Sequence, residues 1–399
     1  MAIKLRARPA IPQLAIRPRD GRRRATLTPT PQRRPGFLAR PHAQVLIDVL
    51  LGAGYRVLGP RVQDAVVGFG EVGRIEELTP GLRESQAPGR YRLEAAADGR
   101  WFGWTVGPQA LKPLLFPPRE VLWRSVRDAA GGLRFEPPEE AAPAVAVFGV
   151  RACDLAALAL LDAHFLGGPA PDQGYAARRE RLLTVGVDCA RSAPTCFCVS
   201  TGDGPMLVSG YDIGLAELDD GLLVWPGTAA GAAIVDLLPL DEALPDQLAE
   251  AAEAGNRAAA SQQRRLPSRH LARALFASLD HPRWRQVGAR CLACGNCTAV
   301  CPTCFCHAAR SEPSLAAAAE QVREWDSCFS AEHSLLHGHP LRPDAAARYR
   351  QWLTHKLGGW HAQYGRSGCV GCGRCLTWCP VGIDLVAEAG AIVGDDSDD

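Results

Sequence analysis

Two runs of cysteines constrain the fold of this chain more than any other feature of its 399 residues. CLACGNCTAVCP spans residues 291–302, CVGCGRCLTWCP spans 369–380, and both match C-x2-C-x2-C-x3-C-P. In bacterial ferredoxins this spacing holds two [4Fe–4S] clusters, and the fourth cysteine of each run binds the cluster of the other run. The spacing therefore predicts two clusters with crossed ligand sets: Cys291, Cys294, Cys297 and Cys379 for one, and Cys369, Cys372, Cys375 and Cys301 for the other.

The chain has 15 cysteines and no recognisable secretion signal, so a disulfide framework is a poor explanation for them. Zinc is also a poor explanation, because one zinc ion takes four ligands and does not account for two complete four-cysteine runs. The 66 residues between the runs (303–368) exceed what a compact ferredoxin needs. They include WDSCFSAEHSLL and DAAARYRQWLTHKLGGW, both predicted to be helical. We therefore expect residues 269–393 to form a helix-rich, α-helical ferredoxin-like dicluster domain.

Charge is distributed unevenly along the chain. Residues 1–40 carry eleven Lys or Arg and one acidic residue, whereas the rest carries 33 basic and 42 acidic residues. An acidic body argues against nucleic-acid binding, and no apolar run is long enough to cross a membrane. Arg23-Arg24 lacks the apolar stretch that follows a twin-arginine export signal. We expect a cytoplasmic protein with a disordered basic tail over 1–40 and an acidic tail over 394–399.

Residues 41–240 carry the pattern of an α/β domain (α+β or α/β in class). AVAVFGV (144–150) and RLLTVGV (181–187) are continuous apolar runs typical of buried strands, and the helical DLAALALLDAHFL lies between them. A strand, a helix and a second strand of these lengths indicate a βαβ unit with parallel strands. Residues 241–268 are polar and alanine-rich, which predicts a helical linker.

GFGEVG at 68–73 matches the G-x-G-x-x-G dinucleotide fingerprint, but Pro80 follows too soon for the long helix that such a site requires. Glycine-rich hairpin turns explain this segment better, with short strands on either side up to about residue 125.

The pentapeptide PTCFC occurs twice, at 194–198 and at 302–306. The first copy belongs to the four cysteines of the α/β domain, which include one after each predicted parallel strand. If those strands are neighbours, their following cysteines meet at the carboxyl edge of the sheet, where such folds bind ligands. The helix after residue 150, with Asp154 as its N-cap, would favour a thiolate at the cysteine before it. These four are candidates for a third cluster: Cys153, Cys189, Cys196 and Cys198.

Two other interpretations of these cysteines stay open: buried inert thiols, or a mixed site in which both CFC segments converge. The pattern gives no role to Cys304, Cys306 and Cys328. His333, His337 and His339 lie close to Cys328 in sequence, and we interpret them as solvated or hydrogen-bonded histidines.

Several segments together resemble one known family. They are VFGVRACDLAAL, DCARSAPTCFCVSTGDGP, CGNCTAVCPTCFC, WDSC, RYRQWLTHK and CVGCGRCLTWCPVGIDL. In this order they resemble the beta subunit of cytoplasmic sulfhydrogenases, which are NAD(P)-linked [NiFe] hydrogenases with sulfur reductase activity. The A-type subunit of anaerobic sulfite reductases belongs to the same wider family. The resemblance extends over about residues 45–390.

The resemblance implies an iron–sulfur subunit that relays electrons between two partners. One partner is a flavin- and NAD(P)-binding subunit, and the other is a hydrogenase or sulfur reductase catalytic subunit. No residue of this chain is then expected to perform bond chemistry, so no catalytic residue is assigned. One alternative is the A-type subunit of an anaerobic sulfite reductase. In others, the α/β domain binds its own flavin or substrate, or only docks partner subunits.

Overall fold

The computed structural model describes residues 34–394 except 110, 129, 131, 138–141, 268–269 and 313–317. The strands are β1 Gly36–Ala39, β2 Arg56–Gln63, β3 Val66–Glu71, β4 Leu82–Ala87, β5 Arg90–Ala95, β6 Arg119–Arg127, β7 Leu133–Glu136, β8 Val145–Val150, β9 Leu182–Val187, β10 Ile213–Glu217, β11 Gly221–Pro226, β12 Asp241–Glu242, β13 His307–Glu312, β14 Ala318–Trp325, β15 Leu335–Leu336 and β16 His339–Pro340. The α-helices are α1 Gln44–Gly52, α2 Lys112–Leu115, α3 Ala152–Leu166, α4 Gln173–Glu180, α5 Cys198–Thr201, α6 Ala229–Val235, α7 Pro245–Ala260, α8 Leu271–Ala277, α9 Arg283–Arg290, α10 Asn296–Ala299, α11 Ala345–Thr354, α12 Trp360–Tyr364, α13 Arg374–Thr377 and α14 Leu385–Val393.

An eight-stranded mixed sheet organises the first part of the chain, in the order β12-β1-β11-β10-β9-β8-β2-β3. The four central strands β2, β8, β9 and β10 are parallel, and the outer pairs are antiparallel. Helices α1 and α6 pack on one face of this sheet, and α2, α3 and α4 pack on the other. Covering both faces explains why β8 and β9 are apolar along almost their whole length. The predicted mixed α/β class is confirmed.

The predicted βαβ unit is present as β8, α3 and β9, with β8 and β9 parallel neighbours. The predicted N-cap is wrong. Arg151, with an extended backbone (φ −87°, ψ 158°), occupies that position, and Asp154 lies in the first turn. The Asp154 carboxylate instead forms a buried ion pair with Arg374, at 2.8 Å between Oδ1 and Nη1. A tertiary partner from the far end of the chain has taken the carboxylate that the local sequence assigns to a cap.

A second sheet joins the two predicted domains, in the order β13-β14-β6-β7. Strand β14 pairs antiparallel with β6, which lies almost 200 residues earlier. The prediction of a helix over WDSCFSAEHSLL is wrong, because β14 ends at Trp325 and a turn follows. Asp326 stabilises this turn, since its Oδ1 accepts hydrogen bonds from the Ser327 amide and the Ser330 hydroxyl, each at 2.7 Å.

The predicted helix over DAAARYRQWLTHKLGGW is present as α11, which continues through a π-helical turn at His355–Gly359 into α12. Because two of the four strands of the second sheet come from this region, the dicluster region is mixed, and the expected helix-richness is not confirmed. Helix α7 occupies most of the predicted linker.

GFGEVG lies largely in β3, which forms an antiparallel hairpin with β2, and a short 3-10 helix at Ile75–Glu77 follows. The prediction of a hairpin in place of a nucleotide site is confirmed at the level of structure. LKPLLFPPRE, predicted as strand, instead begins with the single-turn helix α2.

Most of the predicted basic tail lies outside the described residues, as does most of the acidic tail. Gly36–Ala39, however, form strand β1, which pairs with both β11 and β12, so the predicted disorder is wrong for these residues. The pairing follows from the apolar side chains of Phe37 and Leu38, which are buried. Across the described residues, no helix combines the length and apolarity needed to span a membrane.

Candidate metal centres

The first cysteine run forms a tight loop between α9 and α10. Ala293 (φ +51°) and Gly295 (φ +76°) adopt left-handed backbone conformations, which fold the loop back on itself. The amide of Ala293 donates to the Cys291 sulfur at 3.4 Å. A cavity at this loop is bordered by the first three cysteines of the run and by one from the second run, Cys379. The four are Cys291, Cys294, Cys297 and Cys379.

The second cysteine run repeats this geometry before α13. Gly371 and Gly373 have positive φ angles (+62° and +75°), and the Gly371 amide donates to the Cys369 sulfur at 3.4 Å. The cavity at this loop is bordered by three cysteines of the second run and one from the first: Cys369, Cys372, Cys375 and Cys301. Because Cys375 borders both cavities, the two are direct neighbours.

These thiols are surrounded by protein. Burial raises the pKa of Cys369 to about 12 and also raises the pKa values of Cys297 and Cys375. A metal must therefore displace a proton from each thiol on binding. The ammonium of Lys356 is buried beside the second cavity and donates to the Thr303 hydroxyl at 2.9 Å.

The sequence analysis missed Lys356, although the sequence contains a signal for it. Lys356 follows the amphipathic α11, where its neighbour Leu357 is buried, so a lysine here faces the interior. A charged ammonium inside a protein is stable only with polar or anionic partners, so a buried lysine points to an anionic neighbour.

The four cysteines of the α/β domain lie where the βαβ prediction puts them. Cys153 follows β8 and Cys189 follows β9, at the carboxyl edge of the main sheet. Cys196 and Cys198 follow on the next loop, and the thiols of Cys189, Cys196 and Cys198 interact electrostatically with one another. Cys153 interacts with Cys198 from the start of α3. The fold thus brings all four predicted residues into one neighbourhood.

The protein environment of this group is polar in places. The side-chain amide of Gln262 donates to the Cys198 sulfur at 3.2 Å and to the Ser192 hydroxyl at 2.9 Å. Burial raises the pKa of Cys198 to about 12. The predicted thiolate at Cys153 is wrong for the metal-free protein, because burial and the Asp154 carboxylate raise its pKa and outweigh the helix N-terminus.

The first PTCFC segment packs directly on the second cysteine run. The amide of Phe197 donates to the carbonyl of Gly371 at 2.8 Å. A Cβ on Gly373 would lie 2.3 Å from the carbonyl oxygen of Thr195, so only glycine fits there. Cys153 and Cys198 both interact electrostatically with Cys372 of that run. The α/β cysteines are therefore neighbours of the second cavity.

Within the part of the chain that the structure describes, no three His, Cys, Asp or Glu side chains are placed to hold a single metal ion. This arrangement fits a cubane better than zinc, because the four protein ligands of a [4Fe–4S] cluster each bind a different iron. The cysteine-only donor sets and the bordering backbone amides suit an iron–sulfur cluster in the same way.

Comparison with known proteins agrees with this chemistry. Residues 290–383 match the family model of a 4Fe-4S dicluster domain, so the chain is an iron–sulfur protein of the electron-transfer class. The sulfhydrogenase 2 subunit beta of Pyrococcus furiosus is 35% identical over 245 residues, which cover 60% of this chain and 71% of that protein. The chain belongs to the family of sulfhydrogenase beta subunits. No solved structure gives a significant match.

Proposed function

We propose that this chain relays electrons within a sulfhydrogenase-type complex. It would connect a flavin- and NAD(P)-binding subunit to a [NiFe] hydrogenase or sulfur reductase catalytic subunit. Family membership supports an iron–sulfur electron-transfer subunit, while the printed name of the relative makes that protein one subunit of a larger enzyme. The observation that carries the proposal is the pair of adjacent four-cysteine cavities with Cys375 on their shared border.

In this proposal the two ferredoxin-type clusters have crossed ligands. Cys379 completes the set of the first run, and Cys301 completes the set of the second run. The borders of the two cavities support this assignment, because each contains three cysteines of one run and one of the other. When bound, each cluster supplies a site that takes up and releases one electron.

The protein provides the surroundings that set the reduction potentials. Amide hydrogen bonds to cysteine sulfur, such as those to Cys291, Cys369 and Cys379, stabilise the reduced, more negative state. The buried ammonium of Lys356 acts in the same direction from beside the second cavity. Aromatic residues such as Trp352 border both cavities and exclude water.

We also propose a third cluster on Cys153, Cys189, Cys196 and Cys198. Their mutual electrostatic interactions support it, and so does the hydrogen bond from Gln262 to the Cys198 sulfur. Contact between this group and Cys372 would extend the relay from the dicluster region to the sheet edge of the α/β domain. That edge is then a natural entry or exit point for electrons at a partner subunit.

The third cluster is tested in the full-length protein purified without oxygen. Cys196→Ser should lower the iron content by about four per chain and leave the two ferredoxin-type electron paramagnetic resonance (EPR) signals in place. Ser200→Ala, on the neighbouring short helix, is the matched control and should retain all iron. If Cys196→Ser retains the same iron content as the parent, the four cysteines are only core thiols.

A further inference from the structure

The second PTCFC segment directs two cysteines to the same side of the chain. The ring of Phe305 stacks on His164 at 3.5 Å between centroids and also contacts Phe165 and Trp360. In an extended segment, residues two apart point away from the residue between them. Cys304 and Cys306 accordingly both border a separate cavity, together with Lys112 and Trp325.

Two further donors come from the turn after β14. The Asp326 amide donates to the Cys306 carbonyl at 2.9 Å, which fixes this turn beside the CFC segment. The thiol of Cys306 interacts through side-chain hydrogen bonds with both Cys328 and His333. Cys304, Cys306, Cys328 and His333 thus lie around one part of the molecule, although the sequence separates the first from the last by 29 residues.

The imidazole of His333 is held by a carboxylate. His333 Nδ1 lies 2.9 Å from Oδ2 of Asp326, whose other oxygen accepts the hydrogen bonds of the turn. Metal-binding histidines in proteins usually donate one ring N–H to such a carboxylate, which orients the other nitrogen toward the metal. In the metal-free protein, the hydrogen bonds of His333 to Cys306 and Asp326 raise its pKa to about 9.

Two buried ammonium groups lie beside the same thiols. Lys112 and Lys356 are each 4% exposed. Lys112 Nζ donates to the carbonyls of Thr298 at 3.2 Å and Ala299 at 3.0 Å, and lies 3.8 Å from the centre of the Trp325 ring. Both lysines interact electrostatically with Cys304. Buried cations require anionic partners, and a thiolate-bound cluster supplies that charge.

We propose that Cys304, Cys306, Cys328 and His333 hold an additional iron–sulfur cluster, outside both ferredoxin-type sites and outside the α/β cysteines. A single zinc ion fits less well, because within the described residues no three of these side chains converge on one metal position. The ligands of a cubane each bind a different iron, and histidine replaces cysteine as an iron ligand in some clusters.

The position of this centre gives it a role in the relay. Its cavity is also bordered by Cys294 of the first run, and Cys304 interacts with Cys301, which borders the second cavity. The cluster would therefore lie beside both ferredoxin-type sites and open to the surface next to Lys112 and Asn296. Histidine ligation raises the reduction potential of a cluster, so this centre would accept electrons more readily than an all-cysteine site.

The test uses the full-length protein, purified without oxygen and analysed for iron, zinc and acid-labile sulfide. Cys306→Ser and Cys328→Ser should each lower the iron content by about four per chain while the EPR signals of the two ferredoxin-type clusters persist. Cys196→Ser lowers iron through a different site, so the double variant Cys196→Ser/Cys306→Ser should lose about eight irons. The failure of one site is thereby distinguished from the failure of the other.

His333→Cys tests the fourth ligand without removing a donor. This variant should retain all iron and shift one reduction potential downward, because a neutral imidazole is replaced by a negatively charged thiolate. It decides the question even if the serine variants fail to fold. An unchanged set of potentials in His333→Cys, zinc in place of iron, or full iron content in folded Cys306→Ser and Cys328→Ser would each overturn the proposal.

Discussion

At the scale of single residues, Cys379 shows how the two cysteine runs depend on each other. It lies 82 positions after Cys297, yet both border one cavity. The Ile383 amide donates to its sulfur at 3.3 Å, which is the kind of contact that a cluster ligand makes. Its loss should therefore be felt at the distant run more than at its own.

We expect Cys379→Ser to alter the cluster of Cys291, Cys294 and Cys297 and to leave the cluster of Cys369, Cys372 and Cys375 intact. EPR of the reduced protein measures this directly. Cys301→Ser is the matched control, because it should alter the other signal. Loss of only the signal of the second run in Cys379→Ser would contradict crossed ligation.

A second residue-scale prediction concerns the buried ion pair of Asp154 and Arg374. The two charges are 2.8 Å apart, and each side chain is at most 2% exposed. Asp154→Asn leaves the arginine charge buried without its partner, which should lower the free energy of unfolding by about 3 kcal/mol. Urea denaturation without oxygen measures this. The control Glu253→Gln, in an exposed pair with Arg257 on α7, should change it by less than about 0.5 kcal/mol.

At the scale of elements, the second cysteine run and the first PTCFC segment are built to touch. Gly371 and Gly373 of the run have no side chains to separate their backbone from residues 195–198. A Cβ at Gly371 would lie 2.5 Å from the Cα of Cys198. The contact thus depends on two glycines that the ferredoxin spacing alone would explain only as loop residues.

Gly373→Ala should lower the free energy of unfolding and the iron content, because its Cβ would lie 2.3 Å from the Thr195 carbonyl. Gly365→Ala is a close control, since Gly365 has nearly the same φ (+74° against +75°) and no atom within 4 Å of the added Cβ. It should cost only about 1 kcal/mol of backbone strain and retain all iron. Equal stabilities for the two variants would contradict a tight contact at Gly373.

At the scale of the whole molecule, the sheet that joins β6 to β14 makes the α/β region and the dicluster region dependent on each other. Arg323 of β14 strengthens this connection, because it pairs with Glu120 of β6 at 2.6 Å and also with Asp172 at the start of α4. The metal centres proposed above all lie on or beside this connection, as a relay requires.

The purified chain should accept electrons from a reduced flavoprotein or a strong artificial reductant, seen as bleaching of its iron–sulfur absorbance. It should neither oxidise hydrogen nor reduce sulfite at a significant rate, because its proposed centres are relay clusters. Gas chromatography and sulfide assays test the second part. Substantial turnover by a metal-analysed, single-chain preparation would contradict the relay function.

The sequence by itself determined the chemistry of the dicluster region and the class of the first domain. Cysteine spacing specifies ligand geometry over a few residues, and long apolar runs specify strands buried on both faces, so both are local properties. The parallel pairing of β8 with β9 also followed from such runs, and with it the common location of Cys153 and Cys189.

The tertiary structure decided what depends on residues far apart in sequence. It used Asp154 for an ion pair with Arg374 rather than for a helix cap, and it extended β14 along β6 where the local pattern suggested helices on either side of the turn. It also brought His333 to Cys306, a pairing that no spacing rule predicts. Long-range packing and buried charge determine these contacts, and neither can be derived from local sequence spacing.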